Sequence, residues 1–317
     1  MGKKDTVTVQ YFEDDARYAD LLNAALFKGT QIIKPEDVKE KDTRMSGVAG
    51  HFKKIRKKVF VQKYRDCVRR IVLGIGVVVI GLEHQTKVHY AMPVRIMLED
   101  ALEYDRQLRK IQKRHKKKRD LVTSEEYLSG FSRNEKIMPT ITIIIYYGDE
   151  WDGARKLSDL LEIGHLPAEV QKLVNDYPIY VLEVRKFKDI DLFQTDLREV
   201  FGILQRSEDK RMMLEFAEAN QEKMSQMDED AYELVAVLTG SETLLEQKEL
   251  YKNEGGLDMC RAFEEMIADG MRQKTEIIAK RMIESGMSRE LIINICEVTS
   301  EQADEWFREC ANSKKSA

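Results

Sequence analysis

The stretch that decides the fold is residues 66–85, which read DCVRRIVLGIGVVVIGLEHQ. Two runs rich in β-branched residues, Cys67–Leu73 and residues 77–82, flank a glycine-rich centre. Gly74-Ile75 suits a two-residue type II′ turn, because the first turn position needs a positive φ angle. The stretch therefore predicts an antiparallel β-hairpin.

The turn also predicts the pairing register of this hairpin. With Gly74-Ile75 as the loop, Leu73 lies opposite Gly76, and counting outward places Asp66 opposite Glu83. Opposed residues of an antiparallel pair project to the same face of a sheet. The spacing alone thus brings two carboxylates together at the open end of the hairpin.

The segments around the hairpin predict the order α-β-β-β-α-β. Residues 1–13 are predicted to be a loose arm, and a helix is expected from Asp14 to Gly29. Residues 30–50 are predicted to be loop, and a first strand is expected at residues 58–62. After the hairpin, Pro93 suits the first turn of a long helix. That helix carries an apolar stripe of Met97, Ala101, Tyr104, Leu108 and Ile111.

The remaining core strands and the C-terminal part complete the predicted architecture. Residues 120–136 are expected to be loop, and residues 140–147 to be a strand parallel to residues 77–82, because a crossover helix separates the two. Residues 179–184 add another strand. Beyond about residue 190 the chain is acidic and helical. We expect an α/β domain at residues 1–205 and an all-α region at 206–317.

Charge is distributed unevenly along the chain. Residues 51–120 hold 20 basic and 7 acidic residues, a net charge of +13, whereas residues 121–317 have a net charge of −16. The basic residues concentrate in two runs, 53–58 and 113–119. Such runs are often a solvated face, but here they favour contact with DNA, chiefly with its backbone.

Apolar content and cysteines exclude other classes. The longest apolar run, residues 71–82, is too short for a membrane span of about 20 residues, and no membrane partner is expected. Cys67, Cys260, Cys296 and Cys310 are dispersed without a CxxC pair, which indicates neither a zinc site nor a disulfide framework. A cytoplasmic location fits best.

Several motifs resemble one known family. The chain is similar, roughly from residue 10 to residue 210, to the Rpn family, the recombination-promoting nucleases that are also described as transposases. The resemblance implies the PD-(D/E)XK nuclease fold, a mixed sheet flanked by helices. It rests on Arg65-Asp66, on Ile80-Gly81-Leu82-Glu83-His84-Gln85-Thr86 and on Tyr90-Ala91-Met92-Pro93-Val94-Arg95, with further matches at Lys34-Pro35-Glu36, Asp42-Thr43, Trp151-Asp152-Gly153 and Thr195-Asp196-Leu197-Arg198-Glu199.

The resemblance implies a set of catalytic residues. Asp66 and Glu83 would bind Mg²⁺, or Mn²⁺ in its place, with the backbone carbonyl of His84 as a further ligand. Mg²⁺ prefers such oxygen ligands. Gln85 stands where the superfamily usually has lysine, which matches the Rpn pattern. Because glutamine is neutral, it would orient water or hydrogen-bond a phosphate oxygen rather than act as a base. Lys41 also departs from the family, which usually has leucine there.

The roles of four other features stay open between function and structure. Strand alternation points His84 away from Glu83, which favours a structural role. Arg95 could contact phosphate or pair locally, and Asp20 is the nearest candidate for an additional acidic residue from the first helix. The C-terminal tail from residue 279 resembles a helix-turn-helix unit that could bind a DNA groove, but a packing or homo-oligomerisation hairpin fits at least as well.

These features predict a metal-dependent DNA endonuclease linked by family resemblance to DNA recombination or mobile elements. A nuclease that acts on invading DNA would use the same chemistry. The alternative is a non-catalytic DNA- or protein-binding protein that retains a nuclease fold.

Overall fold

The structure is a computed structural model that describes residues 3–40, 44–48, 60–64, 67–73 and 76–313. Its strands are β1 (Val38–Glu40), β2 (Arg44–Val48), β3 (Phe60–Tyr64), β4 (Cys67–Leu73), β5 (Gly76–Gln85), β6 (Thr140–Tyr146), β7 (Tyr180–Glu183), β8 (Lys252–Asn253) and β9 (Gly256–Leu257). A five-stranded sheet has the order β1-β4-β5-β6-β7. β4 is antiparallel to β1 and β5, whereas β6 is parallel to both β5 and β7. The predicted parallel strand pair is therefore confirmed.

The hairpin register is the predicted one. Leu73 pairs with Gly76, and the pairing continues without a bulge to Cys67 opposite Leu82. Gly74 and Ile75, which the sequence assigns to the turn, lie outside the described residues. The described strands thus follow the alternation from which the position of Asp66 was inferred.

Helices cover both faces of the sheet and build the C-terminal part. They are α1 (Lys3–Tyr11), α2 (Asp15–Phe27), α3 (Met92–Lys118), α4 (Ser124–Ser129), α5 (Ala168–Gln171), α6 (Leu197–Arg206), α7 (Lys210–Ala219), α8 (Gln221–Met224), α9 (Glu229–Thr239), α10 (Glu242–Glu246), α11 (Met259–Glu284), α12 (Arg289–Cys296) and α13 (Ser300–Ser313). Within the described parts of the chain, none of these helices combines the length and the apolar character that crossing a bilayer requires.

Strand alternation divides the sheet into two faces. Ile80, Leu82 and Ile143 lie in the main core with α2 and α6, whereas Ile144 packs on the other face with Ile96 of α3. Tyr18 of α2 donates a hydrogen bond from its hydroxyl to the Ile80 carbonyl at 2.8 Å. The helix that follows the hairpin therefore covers one face alone, and it is the face toward which Glu83 projects.

Two predicted helices form for the expected local reasons. The Asp14 side chain caps α2 by accepting from the backbone N–H groups of Ala16 and Arg17, and Gly29, at φ +81°, follows its last turn. Pro93 occupies the first turn of α3, and Arg119 ends that helix in the left-handed conformation.

Three segments predicted to be loop or arm contain regular structure. Residues 1–13 include α1, whose Val7 and Tyr11 are buried in the core and which packs against α9. Residues 30–50 include β1 and β2, and residues 120–136 include α4. In the first two segments, contacts with parts of the chain distant in sequence determine the secondary structure, because the local sequence is polar and has weak periodicity.

The strand expected at residues 58–62 is observed as β3, but it does not join the main sheet. β3 pairs with β2, and β2 lies against α3. β1 occupies the position beside β4 instead, with Val38 opposite Ile71. The strand predicted at residues 58–62 therefore belongs to a separate two-stranded sheet.

The predicted division into residues 1–205 and 206–317 falls at the end of α6. Buried side chains from both parts belong to one hydrophobic cluster that extends in sequence from Val7 to Phe263. The sheet and the C-terminal helices therefore share a core, and the division into two domains stays a prediction.

Gly202 in α6 makes a close contact that can be tested. A Cβ atom there would overlap the ring of buried Phe216 on α7. We expect Gly202→Ala to lower the free energy of unfolding by about 1–3 kcal/mol, because overpacking outweighs the gain in helix propensity. Gly270→Ala is the matched control: its Cβ would meet only Lys210 Nζ at 3.7 Å, and it should add about 0.5–1 kcal/mol. Denaturant unfolding measures both, and an unchanged or higher stability of Gly202→Ala would contradict the overlap.

Candidate functional site

Glu83 lies at the carboxyl end of β5, the central strand of the sheet. Its side chain is 0% exposed. Because strand side chains alternate, Glu83 and Gln85 project to the α3 face while His84 projects to the opposite face. Gln85 is half-buried and pairs in register with Tyr146 of β6. The structure thus brings two of the three predicted catalytic residues, Glu83 and Gln85, to one face.

Asp66, the third predicted catalytic residue, lies outside the described residues, as do Lys41 and the basic run 53–58. The described pairing of the hairpin extends outward from the turn as far as Cys67 opposite Leu82, which is one residue short of Asp66. The inference that Asp66 opposes Glu83 therefore stays a prediction that continues an observed register.

Arg95 joins Glu83 to a second buried carboxylate. Its Nη2 donates to Glu83 Oε2 at 2.7 Å, and its Nε donates to Glu99 Oε1 at 3.0 Å. Glu99 is also fully buried, whereas a quarter of the Arg95 side chain is exposed. Of the two interpretations of Arg95, local pairing is observed. The guanidinium balances part of the charge of two carboxylates that have left water.

The buried face of α3 is polar, which the sequence analysis missed. Glu99, Asp100 and Glu103 are all buried, whereas the stripe members Met97 and Tyr104 are only half-buried and Ala101 is exposed. The apolar stripe is therefore not the most buried face of the helix. The signal in the sequence was the spacing of three and four residues among these carboxylates, which places them on one face of the helix. This spacing did not reveal their burial, because exposed charged faces have the same spacing.

Hydrogen bonds from the sheet and neighbouring segments satisfy this polar face. Asp100 Oδ1 accepts from the Thr142 hydroxyl of β6 at 2.8 Å, and Asp100 Oδ2 accepts from the Tyr177 hydroxyl. Glu103 accepts from Gln107 Nε2 at 3.0 Å. These bonds fix α3 against the sheet and hold Glu99 and Arg95 in place beside Glu83.

His84 has a structural environment on the opposite face. Its ring stacks on Phe12 with centroids 5.1 Å apart, and its Nδ1 lies 3.0 Å from the Tyr147 hydroxyl. Burial lowers the pKa of His84 to about 3, so the ring is neutral at physiological pH. The side chain therefore packs the core, as the alternation predicts.

The backbone of His84 is directed differently from its side chain. Val79 N–H donates to the Pro139 carbonyl and Tyr147 N–H donates to the Gln85 carbonyl, both at 2.9 Å. Odd-numbered residues of β5 therefore bond toward β6. Backbone polar groups alternate along a strand, so the His84 carbonyl is directed toward the edge occupied by β4, the strand that Asp66 immediately precedes in sequence.

Asp20, the candidate acidic residue from the first helix, has another role. Its carboxylate accepts from the Thr195 hydroxyl at 2.7 Å and from the backbone N–H groups of Gln194 and Thr195. It lies on α2, across the sheet from Glu83. Asp20 therefore anchors the segment before α6 and does not join Glu83.

The C-terminal tail forms a compact helical unit. The end of α11 packs with α12 and α13 around Ala279, Ile292 and Trp306. Arg289 is the only basic residue of α12, and its Nη2 donates to Asp304 Oδ2 at 2.8 Å. The only basic residue of α12 is thus engaged within the chain, and the observed role of the tail is packing, whereas oligomerisation and groove binding stay predictions.

A metal site is incomplete in the described part of the chain. No group of three or more His, Cys, Asp or Glu side chains suited to hold an ion occurs among the residues that the structure covers. Glu83 and the direction of the His84 carbonyl fit the oxygen ligands that Mg²⁺ prefers, and the second carboxylate would come from Asp66.

The chain matches no protein-family model, no curated protein and no solved structure.

Proposed function

We propose that this protein is a metal-dependent DNA endonuclease of the Rpn type with a PD-(D/E)XK core. The observation that carries the proposal is the fully buried carboxylate of Glu83 at the carboxyl end of the central strand. One further step of the observed hairpin register, which is described as far as Cys67 opposite Leu82, would place Asp66 opposite Glu83. A buried charge is costly unless it is paired, as Glu83 is with Arg95, or coordinates a metal. The resemblance of the motif around Glu83-His84-Gln85 supports the same site.

The proposed roles follow from the chemistry of each group. Asp66 and Glu83 would hold Mg²⁺ or Mn²⁺ together with the His84 carbonyl, and when bound the ion supplies a lowered pKa for water and charge stabilisation at the phosphate. The Gln85 amide would orient water or donate to a phosphate oxygen. Arg95 would orient the Glu83 carboxylate through its hydrogen bond to Oε2. The basic residues 113–119 would contact the DNA backbone, and by family resemblance the cleavage would serve recombination, mobile elements or defence against invading DNA.

Nicking of supercoiled plasmid tests the proposal. Purified protein is expected to nick in Mg²⁺ or Mn²⁺ and not in EDTA. Asp66→Asn and Glu83→Gln should each lower the rate by about 100-fold or more, because several kcal/mol of charge stabilisation depend on the metal. Asp105→Asn, on the exposed side of α3, is the matched control and should nick like the wild type.

The second candidate function is DNA binding without catalysis, and the neutral Gln85 favours it. That alternative predicts no nicking with any metal but DNA affinity that survives Asp66→Asn. Wild-type protein that binds DNA and never nicks would overturn the endonuclease proposal.

A further inference from the structure

The end of α3 and the short helix α4 form a cleft that the proposed catalytic site does not use. This α3–α4 cleft has a volume of about 420 Å³ and is lined by Gln112, Lys116, Arg119, Tyr127 and Leu128, among others. At about 1.5 Å per residue along α3, it lies about 30 Å from Arg95. It is therefore a separate surface from the site around Glu83.

The cleft is held in shape by specific contacts. Gln112 Nε2 donates to the Ser129 carbonyl at 2.9 Å, which ties α4 to α3. His115 lies beneath, with its Nδ1 2.6 Å from Asp120 Oδ1 and its Nε2 3.0 Å from Glu135 Oε2. A capping box between Thr123 and Glu126 starts α4.

The carboxylates around the cleft are engaged by the protein, whereas most cations are not. Asp120 and Glu135 contact His115, and Glu126 accepts from the Arg133 and Val122 N–H groups. In the part of the chain that the structure describes, no carboxylate lies within salt-bridge distance of five neighbouring cations: Lys113, Lys116, Lys117, Lys118 and Arg119. Four arginines of the same helix are all paired: Arg95, Arg106, Arg109 and Arg114.

Large apolar side chains are exposed beside these cations. Tyr127 is 63% exposed, Leu128 90% and Val122 84%. Unpaired cations next to an exposed aromatic ring are the combination with which proteins bind single-stranded nucleic acid: the cations contact phosphates, and a base stacks on the ring. In duplex DNA the base faces are stacked on one another, so a duplex would leave Tyr127 without an occupant.

We propose that the α3–α4 cleft binds single-stranded DNA, with phosphates at Lys116 and Arg119 and a base stacked on Tyr127. This inference rests on the proposed function for DNA as the substrate and adds that the substrate has an unpaired segment. Because about 30 Å separates the cleft from Glu83, that segment would lie at a distance from the cleaved bond.

Fluorescence anisotropy in EDTA tests the proposal with a labelled oligo-dT strand and a duplex of equal length. Tyr127→Ala should raise the Kd for the single strand by roughly 5- to 150-fold, while Tyr127→Phe should bind like the wild type. Lys116→Gln with Arg119→Gln should reduce the slope of log K against log salt by about 1.4, at about 0.7 per phosphate.

Controls separate this cleft from general surface effects. Tyr180→Ala removes a ring on β7 that is 56% exposed, close to the 63% of Tyr127. Lys223→Gln with Lys274→Gln removes two exposed cations on α8 and α11. Both controls should bind like the wild type. Thermal unfolding checks that Tyr127→Ala is folded, as expected for so exposed a side chain.

Three outcomes would overturn the inference. The first is a Tyr127→Ala variant whose affinity for the single strand is unchanged, and the second is a loss of affinity in Lys116→Gln with Arg119→Gln that is equal for duplex and single strand. The third is a protein that binds anionic lipid vesicles but does not bind DNA. The anisotropy is measured in EDTA, where the proposed metal-dependent nicking does not take place. Failure of the nicking assay and failure of this binding assay are therefore distinguishable.

Discussion

Replacing Arg95 by methionine is expected to lower the free energy of unfolding by about 3 kcal/mol and to suppress the proposed nicking activity. Arg95 donates to Glu83 and Glu99, and both carboxylates are fully buried. Removing one partner of a buried ion pair typically costs about 3–5 kcal/mol, because a buried charge loses its compensation. Denaturant unfolding and the plasmid assay measure the two effects.

Arg109→Met is the matched control for this prediction. Arg109 lies on the same helix and pairs with Asp105 at 2.7 Å, but both side chains are about 40% exposed. An exposed pair contributes about 0–1 kcal/mol, so this variant should be nearly as stable as the wild type. Equal losses in the two variants would show that burial of Glu83 and Glu99 does not set the cost.

Added Mg²⁺ connects the stability of Arg95→Met with the proposed metal site. If Glu83 is a ligand, a bound cation takes over part of the charge balance that Arg95 supplies, and binding to the folded state alone raises its stability. We expect Mg²⁺ to raise the Tm of Arg95→Met more than that of the wild type. Equal shifts would argue against Glu83 as a ligand while leaving the ion pair itself untouched.

The site could be predicted from the sequence only as far as local geometry determines it. The Gly74-Ile75 pair fixes a register that the structure shows from Leu73 to Cys67, and alternation then places Glu83 on one face and His84 on the other. These inferences depend on backbone periodicity alone. The partners of Glu83 lie on α3, and the sequence did not distinguish a helix face that is charged and exposed from one that is charged and buried.

The errors in the fold have a related cause. β1 has only three residues, Val38–Glu40, and α1 owes its burial to α9, which lies more than 200 residues further along the chain. Neither segment has enough periodicity to specify its own structure, so partners distant in sequence decide it. α4 is different, since Thr123 and Glu126 form a capping box that was visible in the sequence.

Arg17→Met is expected to lower the free energy of unfolding by about 3–5 kcal/mol, since Arg17 connects the N-terminal helices to the C-terminal region. Its Nε and Nη2 donate to both oxygens of Asp196, at 3.0 and 2.7 Å, and Nη2 also donates to Asp228 Oδ1 at 2.8 Å. Asp196 and Asp228 precede α6 and α9, and the guanidinium lies over the ring of Tyr11. Equilibrium unfolding in urea measures the loss.

Arg211→Met, the matched control for Arg17→Met, should change the stability by less than about 0.5 kcal/mol, because Arg211 pairs with Glu215 on an exposed helix surface.

The pH dependence of the stability then identifies the source of the Arg17 effect. Burial raises the pKa of Asp228, but the hydrogen bond and charge of Arg17 outweigh it and hold that pKa below its usual value. A carboxylate with a depressed folded pKa stabilises the fold above its unfolded pKa of about 3.9 and loses that contribution as the pH falls. The difference between the wild type and Arg17→Met should therefore be largest near neutral pH and shrink below about pH 4. A difference that is constant across this range would assign the loss to packing against Tyr11 rather than to the ion pairs.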